Sequence, residues 1–151
     1  MADEQSNPSL KYALFCRDTD ESPSGELILK EVVDLIELPP IAELQKTEES
    51  QKPDTPVLAE LDLHLAFCIV GANPGPHHLL VAIKAPGMPL DPPPPQLIEW
   101  EEGILFQRWI KVFRIPVQAP GRHVAAILLD GLPLGEASFL VRFKPEDDQA
   151  G

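Results

Sequence analysis

Alternation of apolar and polar side chains dominates the second half of this chain. Over residues 61–70 (LDLHLAFCIV), Leu61, Leu63, Leu65, Phe67 and Ile69 share one parity, and Asp62, His64, Ala66, Cys68 and Val70 share the other. A period of two is the signature of a strand with one face buried. After the turn GANPGP at 71–76, residues 77–85 repeat the pattern with Leu79, Val81 and Ile83 facing in. Residues 120–143 hold two β-type runs joined at Asp130-Gly131. An Asp-Gly connection favours the left-handed angles of a type I′ turn, whose twist matches that of paired strands, so a hairpin is predicted there.

Residues 104–117 (ILFQRWIKVFRIPV) are long for one strand. Trp109, Phe113, Ile115 and Val117 lie on one parity, interrupted by Lys111, while Arg108 and Arg114 share the other with Ile110 and Val112. We expect a bulge near Arg108, because one extra residue reverses the side-chain sense and would gather the apolar positions on one face.

The first half is less regular. Residues 11–17 (KYALFCR) read as a strand apolar on both sides, through either a doubly covered strand or a local bulge. Residues 26–38 (ELILKEVVDLIEL), bounded by Gly25 and Pro39-Pro40, read as one extended strand. Residues 39–56 are charged and edged by proline, and read as a surface insertion in which Ile41 to Leu44 form either a helical turn or a short edge strand. Residues 86–96 (PGMPLDPPPPQ) form a stiff loop that lacks ladder donors at its prolines. The expected organisation is a loose tail over 1–10, one domain over 11–143 and an acidic tail over 144–151.

Seven or eight strands with turn signals about every ten residues imply an all-β fold. A single sheet this apolar would leave one greasy face in water, so two packed antiparallel sheets, a β-sandwich, are predicted. Composition strengthens this. The chain has 18 prolines, where average usage would give about 7–8, and proline breaks helix interiors.

The net charge of −12 is uneven: residues 1–60 carry 14 acidic and 5 basic side chains, and residues 61–151 carry 10 and 7. Such a field repels phosphate backbones and anionic membrane surfaces, so no nucleic-acid or membrane partner is expected. The first residues show no basic-then-apolar leader, and no apolar run nears the length of a membrane span. A cytoplasmic location is the expectation. The two cysteines, Cys16 and Cys68, then read as small buried hydrophobes rather than a bridge.

Several of these residues carry a resemblance. The opening ALFCRD at 13–18 precedes a glycine and the strand ELILKEVVD. Later come Pro120-Gly121-Arg122-His123, Leu129-Asp130-Gly131 and Leu134-Gly135-Glu136. In these features the chain resembles a family of small bacterial immunoglobulin-like β-sandwich proteins without an assigned activity. The resemblance spans nearly the whole chain apart from 39–56 and the tails. It departs at Glu26, at Lys30-Glu31-Val32, and at His123, where the family has an aromatic. It implies an immunoglobulin-like sandwich and no particular chemistry.

Candidate chemistry is sparse. His77 and His78 are adjacent on a strand, hence on opposite faces, and the four histidines lack the spacing of a metal site. No nucleophile-elbow motif or glycine-rich phosphate loop occurs, so no catalytic, cofactor-binding or metal residue is assigned, and no cofactor. His123, just after a Pro-Gly turn, is expected to bond to its own loop. Arg108, Lys111 and Arg114 are expected to pair with acids on neighbouring strands. The candidate ligand surface is Trp100 with Glu101 and Glu102, an aromatic platform beside carboxylates. The functional expectation is a non-catalytic protein-interaction or accessory module. The alternative is a small-molecule or carbohydrate binder, or a weak hydrolase, working near Trp100.

Overall fold

The computed structural model describes residues 7–46, 57–89 and 92–146. They form nine strands and one short helix: β1 (Ser9–Glu21), β2 (Leu27–Val32), β3 (Leu35–Leu38), α1 (Ile41–Lys46), β4 (Ala59–Val70), β5 (Gly75–Lys84), β6 (Gln96–Trp100), β7 (Phe106–Val117), β8 (Gly121–Leu129) and β9 (Leu132–Phe143). One sheet has the order β2-β1-β4-β7 and the other β3-β9-β8-β5-β6. Every pairing is antiparallel except β3 with β9. The all-β antiparallel expectation holds, with nine strands in place of seven or eight.

The two sheets close on one core drawn from both. Leu61, Leu63, Leu65, Phe67 and Ile69 of β4 and Ile115 and Val117 of β7 meet Leu79, Val81, Ala125, Ile127, Leu129, Phe139 and Val141 of the facing sheet. Phe15 of β1 meets Phe139 of β9 edge-to-face, with ring centroids 5.0 Å apart at 83°. The parity read for β4 is the parity the core uses. At the predicted hairpin, Asp130 and Gly131 have φ of 53° and 79°. Both are positive, as a type I′ turn requires.

Two expectations are corrected. Residues 26–38 are not one strand but two, in different sheets. Glu31 takes φ 60° near the end of β2, and the first strand stops at Val32. Val33 N–H then bonds to the Phe15 carbonyl (2.8 Å) and Leu140 N–H to the Asp34 carbonyl (2.9 Å), so the chain crosses from one sheet to the other. The crossing buries Val33 and Ile36, which one straight strand would not place together. In 39–56, residues 41–46 form α1, started by Glu43 and Leu44 N–H on the Pro40 carbonyl; the rest of that predicted insertion lies outside the described residues.

The bulge near Arg108 is also absent. β4 and β7 pair without interruption from Ala59↔Val117 to Val70↔Phe106. Trp109 faces in and stacks on Phe67 at 5.3 Å. Lys111 shares that inward parity at the sheet margin, where its ammonium donates to Gln96 Oε1 at 2.8 Å. Consequently Phe106, Ile110 and Val112 point outward and are exposed. β7 is apolar on both faces, and only one of them is needed for the core.

Candidate functional site

The outward face of the β2-β1-β4-β7 sheet carries exposed apolar side chains, Leu14, Phe106, Ile110 and Val112. Its rows follow from the register: Tyr12, Cys68 and Arg108 lie abreast across β1, β4 and β7; Leu14, Ala66 and Ile110 form the next row; Cys16, His64 and Val112 the third. In the first two rows the middle strand contributes the small Cys68 and Ala66 between larger side chains of β1 and β7, so the face is a trough there along β4. Past Cys16, β1 leaves β4 and continues with β2, and this hairpin folds back over the trough. Thr19 Oγ1 reaches His64 Nδ1 at 3.0 Å. Arg108 ties the hairpin tip from the far side, its Nη2 donating to the Gly25 carbonyl at 3.0 Å, with Glu21 at 3.9 Å.

Two adjoining recesses result. One, of about 430 Å³, is lined by Tyr12, Leu14, Glu26, Leu27, Leu29 and Arg108. The other, of about 370 Å³, shares Leu27 and Arg108 and adds Thr19, Asp20, Glu21 and Ile110. Together the linings hold three carboxylates and one guanidinium. Burial raises the Tyr12 phenol above its ordinary pKa, helped by neighbouring Cys68 and opposed by Arg108.

Cys16 and Cys68 are free, buried beneath this face and absent from the core between the sheets. Cys68 is level with Tyr12, four residues from Cys16 along β1, which separates the thiols by about 13 Å of strand. No bridge spans that distance. Burial raises both thiol pKa values first and foremost, so neither is an activated nucleophile.

The sequence-based candidate surface at Trp100 is corrected. Trp100 is 1% exposed. Its Nε1–H donates to the Ile104 carbonyl at 3.1 Å, and the ring belongs to the core cluster. It offers no face on which a sugar could stack. Glu101 and Glu102 are exposed in the turn that follows. The parity of β6 is the reason: Ile98 and Trp100 point in while Leu97 and Glu99 point out. The four prolines 92–95 are exposed; Pro93 flanks Met88, Pro89 and Phe113 at a smaller recess of about 180 Å³.

The basic group pairs largely as expected. Arg114 Nε donates to Asp62 Oδ1 at 3.0 Å, with Glu60 at 3.7 Å, while Lys111 bonds to Gln96 instead of an acid. His123 Nδ1 lies 3.1 Å from the Gly121 carbonyl, the loop bond expected of it. That ring is fully buried, stacked on Phe139 at 5.1 Å, and its Nε2 has no partner.

One constellation had no signal in the sequence. His77 Nδ1 lies 2.6 Å from Asp130 Oδ2, across 53 residues. A His–carboxylate pair suggests a general base, but His77 Nε2 lies 2.7 Å from the Asn73 carbonyl. The nitrogen that would accept a substrate proton is therefore already committed as a donor, which is incompatible with that role. Among the described residues no three His, Cys, Asp or Glu side chains are grouped to hold a metal ion. No described helix is long and apolar enough to cross a membrane.

No protein-family model matches the chain, and no curated protein matches it in sequence. Among solved structures, it is similar to the Pseudomonas fluorescens alkylpurine DNA glycosylase AlkC bound to DNA containing an abasic site analogue. The match covers 91% of this chain at 17% identity with a TM-score of 0.51, and spans 31% of the AlkC chain. At that identity the likeness concerns the fold alone.

Proposed function

We propose that this chain is a non-catalytic interaction module whose binding surface is the hairpin-covered trough on the β2-β1-β4-β7 sheet. The observation that carries the reading is an outward apolar set with no role in the core: Leu14 (36% exposed), Ile110 (38%), Val112 (68%) and Phe106 (50%). Exposed apolar groups gathered around recesses mark interaction sites more often than chance exposure does. The lining carboxylates Asp20, Glu21 and Glu26 outnumber the one guanidinium, Arg108. The partner that fits is a protein segment presenting apolar side chains flanked by lysine or arginine.

We further read the sandwich as immunoglobulin-like. What supports this is the first part of the chain dividing between both sheets, with β1 antiparallel to β4 and β3 parallel to the last strand. The partner is protein rather than nucleic acid. The net charge of −12 opposes phosphate, and Arg108, Arg114, Arg122 and Arg142 already contact carboxylates of this chain. The DNA in the AlkC structure is a property of that enzyme. The working location is the cytoplasm, consistent with two free, well-separated cysteines.

The test is affinity capture from host extract by the wild type and by Ile110→Glu/Val112→Glu, with cross-links mapped by mass spectrometry. Expected is a partner cross-linked beside the trough, lost in the variant while its melting temperature stays unchanged. Identical capture by both proteins, or cross-links on the opposite sheet, overturns the reading.

A further inference from the structure

The environment of His77 fixes its protonation state by geometry. Nδ1 faces a carboxylate oxygen of Asp130 at 2.6 Å, and Nε2 faces the Asn73 carbonyl oxygen at 2.7 Å. Both oxygens are acceptors. A neutral imidazole has a single N–H, so in that form one contact would set a lone pair against a lone pair; only the imidazolium donates through both nitrogens. The carboxylate is held rigidly for this purpose. Asp130 Oδ1 accepts from His78 N–H at 2.8 Å, and Asp130 N–H donates to the His78 carbonyl at 2.7 Å.

Through this ring the contacts join two separate pieces of chain. Asn73 belongs to the connection between β4 and β5, bounded by Gly71 (φ 81°) and Gly75 (φ 126°). Asp130 belongs to the type I′ turn between β8 and β9. We propose that His77 is a proton-operated clasp: as the imidazolium it holds the 71–75 connection to the 130–131 turn, and loss of its Nε2 proton opens it on the Asn73 side.

The charged groups facing it are Asp130 from the turn, Glu99 from β6 and, next to Asp130, His78 of its own strand. Burial acts to lower the His77 pKa, but the Asn73 carbonyl, the Asp130 carboxylate and the Glu99 charge outweigh it and raise it above 6.5. The carboxyl of Asp130 moves the other way: burial opposes the shift, while bonds to His78 N–H and His77 lower it below 3.8. The clasp is therefore closed between those two limits. It loosens as pH rises through the raised His77 value.

The experiment is an NMR titration of the histidine ring nitrogens in the full chain from pH 5 to 9. Amide exchange in the 72–75 segment, read at Ala72, Asn73 and Gly75 because Pro74 has no N–H, is corrected for its intrinsic pH dependence and followed in parallel. Expected is a doubly protonated His77 at pH 6.5, with a midpoint above 6.5. Exchange at 72–75 should rise roughly tenfold above that midpoint, the equivalent of one lost charge-assisted hydrogen bond. Asp130→Asn should bring the midpoint down to 6.5 or lower; if that variant does not fold, His77→Gln should abolish the pH-linked rise instead. A single neutral tautomer at pH 6, or exchange at 72–75 that ignores the midpoint, overturns the proposal.

Discussion

The register of β7 decides which of its two apolar faces is available to a partner, and Phe106→Ala tests it. Phe106 pairs with Val70 at the end of an unbroken ladder and is 50% exposed on the outward face. Fully burying such a side chain is worth about 1.5–3 kcal/mol. Half of that, with no cavity left behind, puts the loss near ~1 kcal/mol. Had a bulge at Arg108 turned Phe106 into the core, truncation would cost about 3–5 kcal/mol. Ile115→Ala serves as the inward control, since Ile115 is 2% exposed, and should cost about 2–5 kcal/mol. Urea unfolding followed by tryptophan fluorescence separates the cases, because Trp100 is core and Trp109 packs against it. At a slope of ~1–3 kcal/mol per molar urea, the Phe106→Ala midpoint should move by less than about 1 M. A loss of 3 kcal/mol or more for Phe106→Ala would refute the register.

Other outcomes follow from the same structure. A double-mutant cycle on Phe15→Leu and Phe139→Leu should give a coupling of about 0.5–1.5 kcal/mol across the two sheets; zero coupling means the sheets do not meet there. His123→Phe should remove an acid-side loss of stability. Burial, only partly offset by the Gly121 carbonyl, lowers the folded pKa of His123 below 6.5. The wild type is therefore unpenalised above 6.5 and loses stability as pH falls from there toward that folded value. Denaturant midpoints at pH 5 and pH 7.5 check this, and an equal acid-side loss in the variant argues against it. His77 has the opposite sign: its contribution is complete below 6.5 and fades as pH rises through its raised folded value. Cys16 and Cys68 should resist a thiol reagent in the native state and react on unfolding in urea; rapid native labelling of either would mean the hairpin does not cover the trough.

Much of the fold was legible because β4, β5, β8 and β9 each bury one parity, and period-two patterns announce that directly. The Asp130-Gly131 turn was equally readable, since its φ angles are a local demand on residue type. Residues 26–38 misled because a sheet crossing leaves apolar residues on both parities, and that looks like one long strand. The trough was hidden by a sound but inapplicable rule. A bulge near Arg108 was the economical way to give β7 one consistent apolar face by turning Phe106 inward; the ladder has none, and Phe106, Ile110 and Val112 all stay outside. Trp100 beside Glu101 and Glu102 looked like a platform because neighbours in sequence carry no information on which way a β6 side chain points. The His77–Asp130–Asn73 arrangement depends on the pairing of β5 with β8, so no spacing along the chain could reveal it.

The proposed binding surface requires the outward apolar residues of β7 and β1 to be open to solvent while the opposite parity is closed. Methyl NMR with a soluble paramagnetic agent measures this residue by residue. The structure predicts strong broadening at Val112, clear broadening at Ile110 and Leu14, and protection at Leu63, Leu65 and Ile115. Protection of Val112 and Ile110 equal to that of Leu65 would contradict it.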